Sequence, residues 1–163
     1  MKAFSPTYIF DSVNDIGPDF FASEGIGCVL LDIDNTLVAD NQPCPDELAI
    51  KFINRLRKEG LKICLISNNT LERVSSFNAD FQLEAVHRAG KPFCRKINKI
   101  IKEFEIPKSR TLLIGDQLLT DVWAGNRCGI RTALVTPINL KKENTFFKFK
   151  RFIESRLLSR NFR

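Results

Sequence analysis

The sequence predicts an α/β fold of the doubly wound type, a three-layer sandwich with helices on both faces of a mainly parallel five-stranded sheet. Five short apolar runs show continuous rather than alternating hydrophobicity, which is typical of parallel strands buried on both faces. Segments with helical periodicity lie between most of these runs, and strands that alternate with helices favour a parallel sheet. The 163 residues suit one domain with one sizeable core.

The predicted strands all lie after the first 26 residues. In chain order they cover residues 27–32, 61–67, 84–87, 110–115 and 131–136.

Three longer helices and one short helix are predicted between the strands. The first begins at Pro45 and ends at Gly60, because proline suits the first helical position and glycine ends helices. The second begins at Pro92 and closes near Pro107, the third covers 118–127 before Cys128-Gly129, and the short helix covers 71–77. The apolar stripes predicted to face the sheet are Leu48, Phe52, Ile53 and Leu56 in the first helix, and Ile97, Ile100, Ile101 and Phe104 in the second.

The composition indicates a globular protein of a reducing compartment, which predicts a cytoplasmic location. No apolar run approaches the ~18 residues of a membrane span, and Pro6, Asp11 and Asp15 interrupt the N-terminal segment where a signal peptide would be continuous. The five cysteines are odd in number and none forms a CxxC pair, so free and mostly buried thiols are expected.

Polar side chains gather where the predicted strands end. Asp32 and Asp34 follow the first strand, Ser67 ends the second, and Asp116 follows the fourth. Ligands of doubly wound folds bind outside the carboxyl ends of the strands. Carboxylates this close resist joint ionisation unless a cation compensates them, and oxygen ligands without histidine or cysteine favour Mg²⁺. Lys91 and the Ser67 hydroxyl could then hold an anion.

Each of these residues also has a plain structural interpretation. Asp116 could be the N-cap of the next helix, and Ser67, Asn68 and Asn69 could be ordinary turn formers, for which reason Asn69 is not included in the predicted site. His87, the single histidine, is expected to be structural, because the predicted chemistry has no need of it.

Four motifs in order resemble those of the haloacid dehalogenase superfamily of aspartate-nucleophile phosphatases. They are DxDxT at Asp32, Asp34 and Thr36, a strand-end serine at Ser67, a lysine at Lys91, and GDxxxxD at Asp116 and Asp121. The stretches "DIDNTL", "GDQLLTDVWAGNRCGI" and "LVTPI" are similar to subfamily IIIA, YqeG-type phosphatases, which are related to phosphatidylglycerophosphate phosphatases.

The resemblance implies a role for each matched residue. Asp32 is the nucleophile that forms an aspartyl-phosphate, and Asp34 is the general acid and base. Mg²⁺ is held by the Asp32 carboxylate, the Asp34 main-chain carbonyl and Asp116. The remaining matches bind phosphate or support the site: Ser67 and Lys91 neutralise phosphoryl oxygens, Thr36 and Asn68 orient them, and Asp121 supports Lys91 or the water shell of the metal.

The spacing of the motifs leaves no room for a cap domain, which many members of this superfamily carry. Only 32 residues separate Asp34 from Ser67 and 23 separate Ser67 from Lys91, and predicted helices and strands use most of them. An uncapped site admits phosphate on a bulky carrier, such as a lipid head group, a protein or a nucleic acid. A second subunit could also cover the opening.

The net charge of +6 belongs to the last residues of the chain. Residues 141–163 contain eight basic and two acidic side chains, whereas residues 1–140 are neutral. The sequence therefore predicts a phosphatase domain over 1–140 and a basic tail over 141–163. Phe146, Phe149, Ile153 and Leu157 recur at helical spacing in this tail, which predicts either a membrane-surface helix or a helix that packs on the body or on a partner. The neutral body argues against nucleic-acid binding.

The predicted function is that of a Mg²⁺-dependent phosphomonoester hydrolase, with phosphatidylglycerophosphate as the best substrate hypothesis and a peripheral position at the inner face of the membrane. Two alternatives stay open. One is a phosphatase that acts on soluble sugar phosphates or nucleotides, and the other is a low-turnover, phosphate-binding assembly factor.

Overall fold

The computed structural model describes residues 3–139, which form one sheet of six parallel strands with helices on both faces. The strands are β1 (Tyr8–Phe10), β2 (Cys28–Leu31), β3 (Lys62–Ile66), β4 (Glu84–Val86), β5 (Thr111–Gly115) and β6 (Arg131–Val135). Their order across the sheet is β1-β6-β5-β2-β3-β4. The helices are α1 (Pro18–Ser23), α2 (Glu47–Lys58), α3 (Leu71–Asn78), α4 (Arg95–Phe104) and α5 (Trp123–Cys128).

The predicted fold class is confirmed, with one correction to the number of strands. The additional strand β1 pairs in parallel with β6, where Tyr8 lies opposite Ala133. The Tyr8 and Phe10 rings both pack edge-on against Phe20 of α1, with ring centroids 4.9 and 5.3 Å apart. Three residues carry too little pattern to predict a strand, and their partner strand lies more than 120 residues away.

The two faces of the sheet carry separate cores, as a doubly wound fold requires. In the central strand β2, Val29 and Leu31 belong to the larger cluster on one face, while Cys28 and Leu30 belong to the cluster on the other. Every residue of β2 and β5 is buried. The strand ends that carry the predicted site are therefore held by the most rigid part of the molecule.

The buried face of α2 differs from its prediction at one residue. The Asp46 carboxylate caps it by accepting the Ala49 backbone N–H at 2.8 Å. Ala49, Phe52, Ile53 and Leu56 are buried, which is an i, i+3, i+4, i+7 stripe, whereas Leu48 is 57% exposed. The prediction of Leu48 as a core residue is therefore wrong.

The boundaries of the later helices also differ from the predictions. The helix α4 begins at Arg95 rather than at Pro92, because the chain first makes a turn in which the Phe93 N–H donates to the Gly90 carbonyl at 2.8 Å. The predicted 118–127 helix divides into a π-helical turn, Leu118–Val122, and α5. Gly129 closes α5 in the left-handed conformation, with φ of 72°.

The expectation of free thiols is wrong for two of the five cysteines. Cys94, which precedes α4, forms a disulfide with Cys128 at the end of α5, and their Cα atoms are 5.4 Å apart. The two cysteines are 34 positions apart, and no sequence pattern indicates this pairing. Cys28 and Cys64 are free and buried, and burial raises the pKa of the Cys28 thiol to about 12.

No cap domain is inserted anywhere within residues 3–139. Among the same residues, none of the helices combines the length and apolar character needed to cross a bilayer. The predictions for the 141–163 tail lie outside the described residues, and the division at residue 140 stays a prediction.

Candidate active site

A pocket of about 370 Å³ opens at the carboxyl edge of the sheet. It is lined by residues that follow β2, β3, β4 and β5, among them Asp32, Asp34, Ser67, Asn68 and Lys91, with Gln117 and Thr120 after β5. The structure therefore brings together side chains from four separate strand ends.

Three buried carboxylates form an acidic cluster, one of which, Asp32, lines this pocket. Asp32 follows β2, Asp116 follows β5, and Asp121 comes from the π-helical turn; one oxygen of each lies within 4.8 Å of the others. Asp121 reaches the cluster because residue 115 is glycine, since a Cβ at Gly115 would overlap the Asp121 carboxylate. Asp121 also accepts the Gln117 backbone N–H at 3.0 Å, which fixes the turn that carries it.

A single lysine neutralises part of the cluster. The Lys91 ammonium donates to Asp32 Oδ1 at 2.8 Å and to Asp121 Oδ1 at 2.6 Å, and its side chain is only 2% exposed. Its backbone is fixed by Asn68, whose side-chain oxygen accepts the Lys91 N–H at 2.8 Å and whose amide donates to the Lys91 carbonyl at 3.0 Å. Asn68 therefore positions Lys91 between the two carboxylates.

The electrostatics of the cluster fit a divalent cation. Burial, reinforced by the neighbouring Asp121 charge, raises the pKa of Asp32 to about 7 and that of Asp116 to about 8. Burial opposes the charge on Lys91, but Asp121 and Asp32 outweigh it and raise the Lys91 pKa. One ammonium facing three carboxylates leaves a surplus of negative charge, and an all-oxygen donor set suits a hard cation such as Mg²⁺.

The Asp34 side chain lies in a different environment from the acidic cluster. Arg73 of α3 contacts Asp34 Oδ1 through Nε at 2.9 Å and through Nη2 at 2.8 Å. Asn69 donates its side-chain amide to Asp34 Oδ2 at 3.1 Å. Asp34 thus lines the same pocket as Asp32 but is fixed in a separate ion pair.

Sequence reasoning missed Arg73 and excluded Asn69 from the site. Thr70 caps α3 by accepting the Arg73 N–H at 3.4 Å, which turns the first helical turn back toward the end of β3. A Thr cap three residues after the strand-end serine was the available signal, because it predicts that the first helical turn, which includes residue 73, begins near the site.

The two predicted hydroxyl groups are buried and hydrogen-bonded. The Ser67 hydroxyl accepts the Asn69 backbone N–H at 3.0 Å, and the Thr36 hydroxyl donates to Asp116 Oδ1 at 3.4 Å. Thr36 therefore faces the acidic cluster, and Ser67 faces the pocket.

His87 lies away from the acidic cluster. It lines a second cavity of about 770 Å³, which we call the side groove, between β4 and α4. Its carbonyl accepts the Lys96 ammonium at 2.9 Å. A structural role for His87 stays our prediction.

Comparison with known proteins identifies the family. A family model described as HAD-hydrolase-like matches residues 88–143. The "probable phosphatase YqeG" of Bacillus subtilis is 32% identical over 158 residues, which cover 97% of this chain and 91% of that protein. The chain belongs to the haloacid dehalogenase superfamily. The family resemblance found in the sequence is thereby confirmed.

Other proteins match over shorter stretches or by fold. Chronophin of Mus musculus is 42% identical over 45 residues, which are 28% of this chain and 15% of that protein. The cobalt-bound deoxy-D-mannose-octulosonate 8-phosphate phosphatase of Haemophilus influenzae superposes with a TM-score of 0.57 at 19% identity, covering 68% of this chain and 69% of that one. An uncharacterised protein of Listeria monocytogenes serotype 4b gives a TM-score of 0.54 at 18% identity, with coverages of 66% and 76%.

Proposed function

We propose that this protein is a Mg²⁺-dependent phosphatase that hydrolyses phosphate monoesters through an aspartyl-phosphate on Asp32. One observation carries the proposal: a buried lysine and three buried carboxylates converge at the edge of a pocket where a parallel sheet binds ligands. The name of the Bacillus subtilis relative, a probable phosphatase, supports the same reaction.

In the first step, Asp32 attacks phosphorus. A bond forms between an Asp32 carboxylate oxygen and phosphorus while the bond from phosphorus to the ester oxygen breaks. Asp34 enters this step protonated and gives that proton to the departing oxygen, while Arg73 and Asn69 hold its carboxyl group at the pocket.

In the second step, a water molecule replaces the protein on phosphorus. Asp34 takes a proton from the water, the oxygen of which bonds to phosphorus, and the bond to Asp32 breaks to return the free carboxylate and inorganic phosphate. Lys91 and Ser67 would hold the phosphoryl oxygens in both steps, since the Lys91 ammonium contacts the nucleophile and Ser67 lines the pocket. Asn68 and Thr36 would help to orient these oxygens through their contacts with Lys91 and Asp116.

Asp32, Asp116 and the Asp34 main-chain carbonyl would hold Mg²⁺, with Asp121 holding Lys91 or the water shell of the metal. When bound, the cation shields the nucleophile from the negative charge of the phosphate and stabilises charge that develops on the phosphoryl oxygens.

The substrate that the open pocket favours is a phosphate on a bulky carrier. With no cap inserted within residues 3–139, the pocket is not closed over the part of the substrate beyond the phosphate. We propose a lipid phosphate, with phosphatidylglycerophosphate as the specific hypothesis, and an enzyme peripheral to the cytoplasmic face of a membrane.

The test is phosphate release from p-nitrophenyl phosphate and from a panel of phosphorylated lipids, sugars and nucleotides, with Mg²⁺ and with a chelator. Asp32→Asn removes the nucleophile while it keeps the shape of the side chain, so turnover should fall by about 10⁴-fold or more. Glu84→Gln in the side groove is the matched control and should keep full turnover. Normal turnover by Asp32→Asn, or turnover that ignores the chelator, would refute the mechanism.

A further inference from the structure

Exposed apolar side chains surround the mouth of the catalytic pocket. Within residues 3–139, seven large hydrophobic side chains are exposed, and four of them belong to segments that build the pocket. These four, which we call the rim residues, are between 50% and 66% exposed: Leu71, Phe93, Leu119 and Ile138.

Each rim residue is tied to a pocket-lining residue by chain position or by a hydrogen bond. Leu71 lies two residues after Asn69, Phe93 two residues after Lys91, and Leu119 directly before Thr120. The fourth is joined across the fold, since the Ile138 N–H donates to the carbonyl of pocket-lining Asn35 at 3.0 Å. The four therefore lie at the same carboxyl edge of the sheet, in four separate segments of the chain.

Isolated exposed leucines are ordinary on protein surfaces, but several around one opening mark a binding surface. Among the rim residues, Phe93 contacts the Arg127 guanidinium, which lies 5.6 Å from its ring centroid. Leu71 is the first residue of α3, where polar residues are favoured, and Leu119 is followed directly by the pocket-lining Thr120.

The charge of the sequence that follows the described residues favours an anionic surface as the partner. Asn139 lies beside the pocket, with its N–H on Asn35 Oδ1 at 3.3 Å and its side-chain amide on Asp40 Oδ1 at 3.1 Å. The segment that follows, 141–163, carries the entire surplus of six positive charges. Basic residues next to an apolar surface are attracted to anionic lipid head groups.

We propose that the carboxyl edge of the sheet docks on an anionic bilayer, with the four rim residues inserted at its interface and the pocket facing the lipid head groups. A phosphate on a lipid then reaches Asp32 without leaving the membrane. For the reaction, this inference rests on the proposed function. For the docking itself, it rests on the rim residues and on the positive charge of the sequence that follows Asn139.

The experiment measures binding of the full chain to sedimenting vesicles of phosphatidylcholine with and without phosphatidylglycerol. We expect binding to the anionic vesicles that weakens in high salt. The double variant Leu71→Ser/Leu119→Ser should lower vesicle affinity by about tenfold or more, because two leucines lose their place in the apolar layer. Ile50→Ser is the matched control, since Ile50 is exposed on α2, a helix without pocket-lining residues.

Hydrolysis of p-nitrophenyl phosphate by the same preparations separates this inference from the proposed function. An active enzyme that ignores anionic vesicles, or a double variant that binds them like the unmodified chain, overturns the docking surface. A dimer in the absence of lipid that the double variant dissociates also overturns it, because a second copy then covers the rim. Vesicle binding that depends on the rim, without any phosphate release, would retain the surface and refute the phosphatase.

Discussion

The pocket of the candidate active site and the side groove differ in how they hold their charges. The groove has about twice the volume, about 770 against 370 Å³, and it is lined by charged residues that stay in water. Its Lys99–Glu103 pair is 3.6 Å long with side chains 74% and 51% exposed, whereas the Lys91–Asp121 pair of the pocket is 2.6 Å long and almost fully buried. An ion pair in water has little desolvation cost, whereas a buried pair has a large one and persists only where the fold constrains both partners. Buried charge, rather than volume, therefore distinguishes the candidate active site.

The sharpest test of this comparison removes one lysine from each region. Lys91→Met leaves Asp32 and Asp121 buried without their cation, so we expect the free energy of unfolding to fall by about 3–5 kcal/mol and turnover to be lost. Lys99→Met, on the groove, should change stability by less than about 0.5 kcal/mol. Urea unfolding followed by circular dichroism measures both. Equal effects of the two substitutions would show that burial does not distinguish the regions.

Arginines allow a second, smaller comparison. Arg73→Ala frees the Asp34 carboxylate from its ion pair, so kcat should fall by about ten- to a hundredfold while KM changes little, because a misdirected acid slows the chemistry. Arg73→Lys keeps the positive charge but not the contact through two nitrogens, so its kcat should lie between that of Arg73→Ala and that of the unmodified protein.

The control for this pair is Arg95→Ala, which removes an exposed arginine from the side groove and should leave kcat unchanged. If Arg73→Ala raises KM alone, Arg73 binds substrate rather than positioning Asp34.

The smallest expected effect concerns pH. The pKa values of Asp32 and Asp116 are raised in the folded protein, to about 7 and about 8, so protonation favours folding at these two sites. Their contribution is complete below the ordinary pKa of an aspartate and is lost as the pH rises through the raised values. The metal-free protein should therefore unfold at a temperature about 5 °C lower near pH 8.5 than near pH 5.

Thermal unfolding with a chelator checks this pH dependence, and Mg²⁺ should reverse it, since the cation binds the deprotonated carboxylates. Asp116→Asn should flatten the pH profile. A metal-free protein that becomes more stable toward pH 8.5 would contradict the proposed cost of the buried carboxylates.

The sequence predicted the parts of the molecule that local pattern determines. Strands β2, β3, β5 and β6 are mainly apolar runs, and the carboxyl-edge rule predicted that Asp32, Asp34 and Ser67 lie at one edge, where they line one pocket. Strand β1 depends instead on a partner more than 120 residues away and on aromatic packing with Phe20.

Contacts between distant parts of the chain also explain the errors of prediction at the site and in the helices. Arg73 reaches Asp34 only because α3 is capped and packed at one particular rotation, and a sequence does not specify such a rotation. The Cys94–Cys128 disulfide likewise depends on two helix ends meeting in space. A one-residue error in the assigned face of α2 was enough to misplace Leu48.

Asn35 links the loop after β2 to residues 138 and 139. Asn35 has a positive φ of 60°. Its side-chain oxygen accepts the backbone N–H groups of Asp40 and Asn139, and its carbonyl oxygen accepts the backbone N–H of Ile138. A load applied at residues 138 and 139 is thus delivered to the residue between Asp34 and Thr36. For surface immobilisation or force spectroscopy, an attachment point away from these two residues is therefore the better choice when undisturbed activity is wanted.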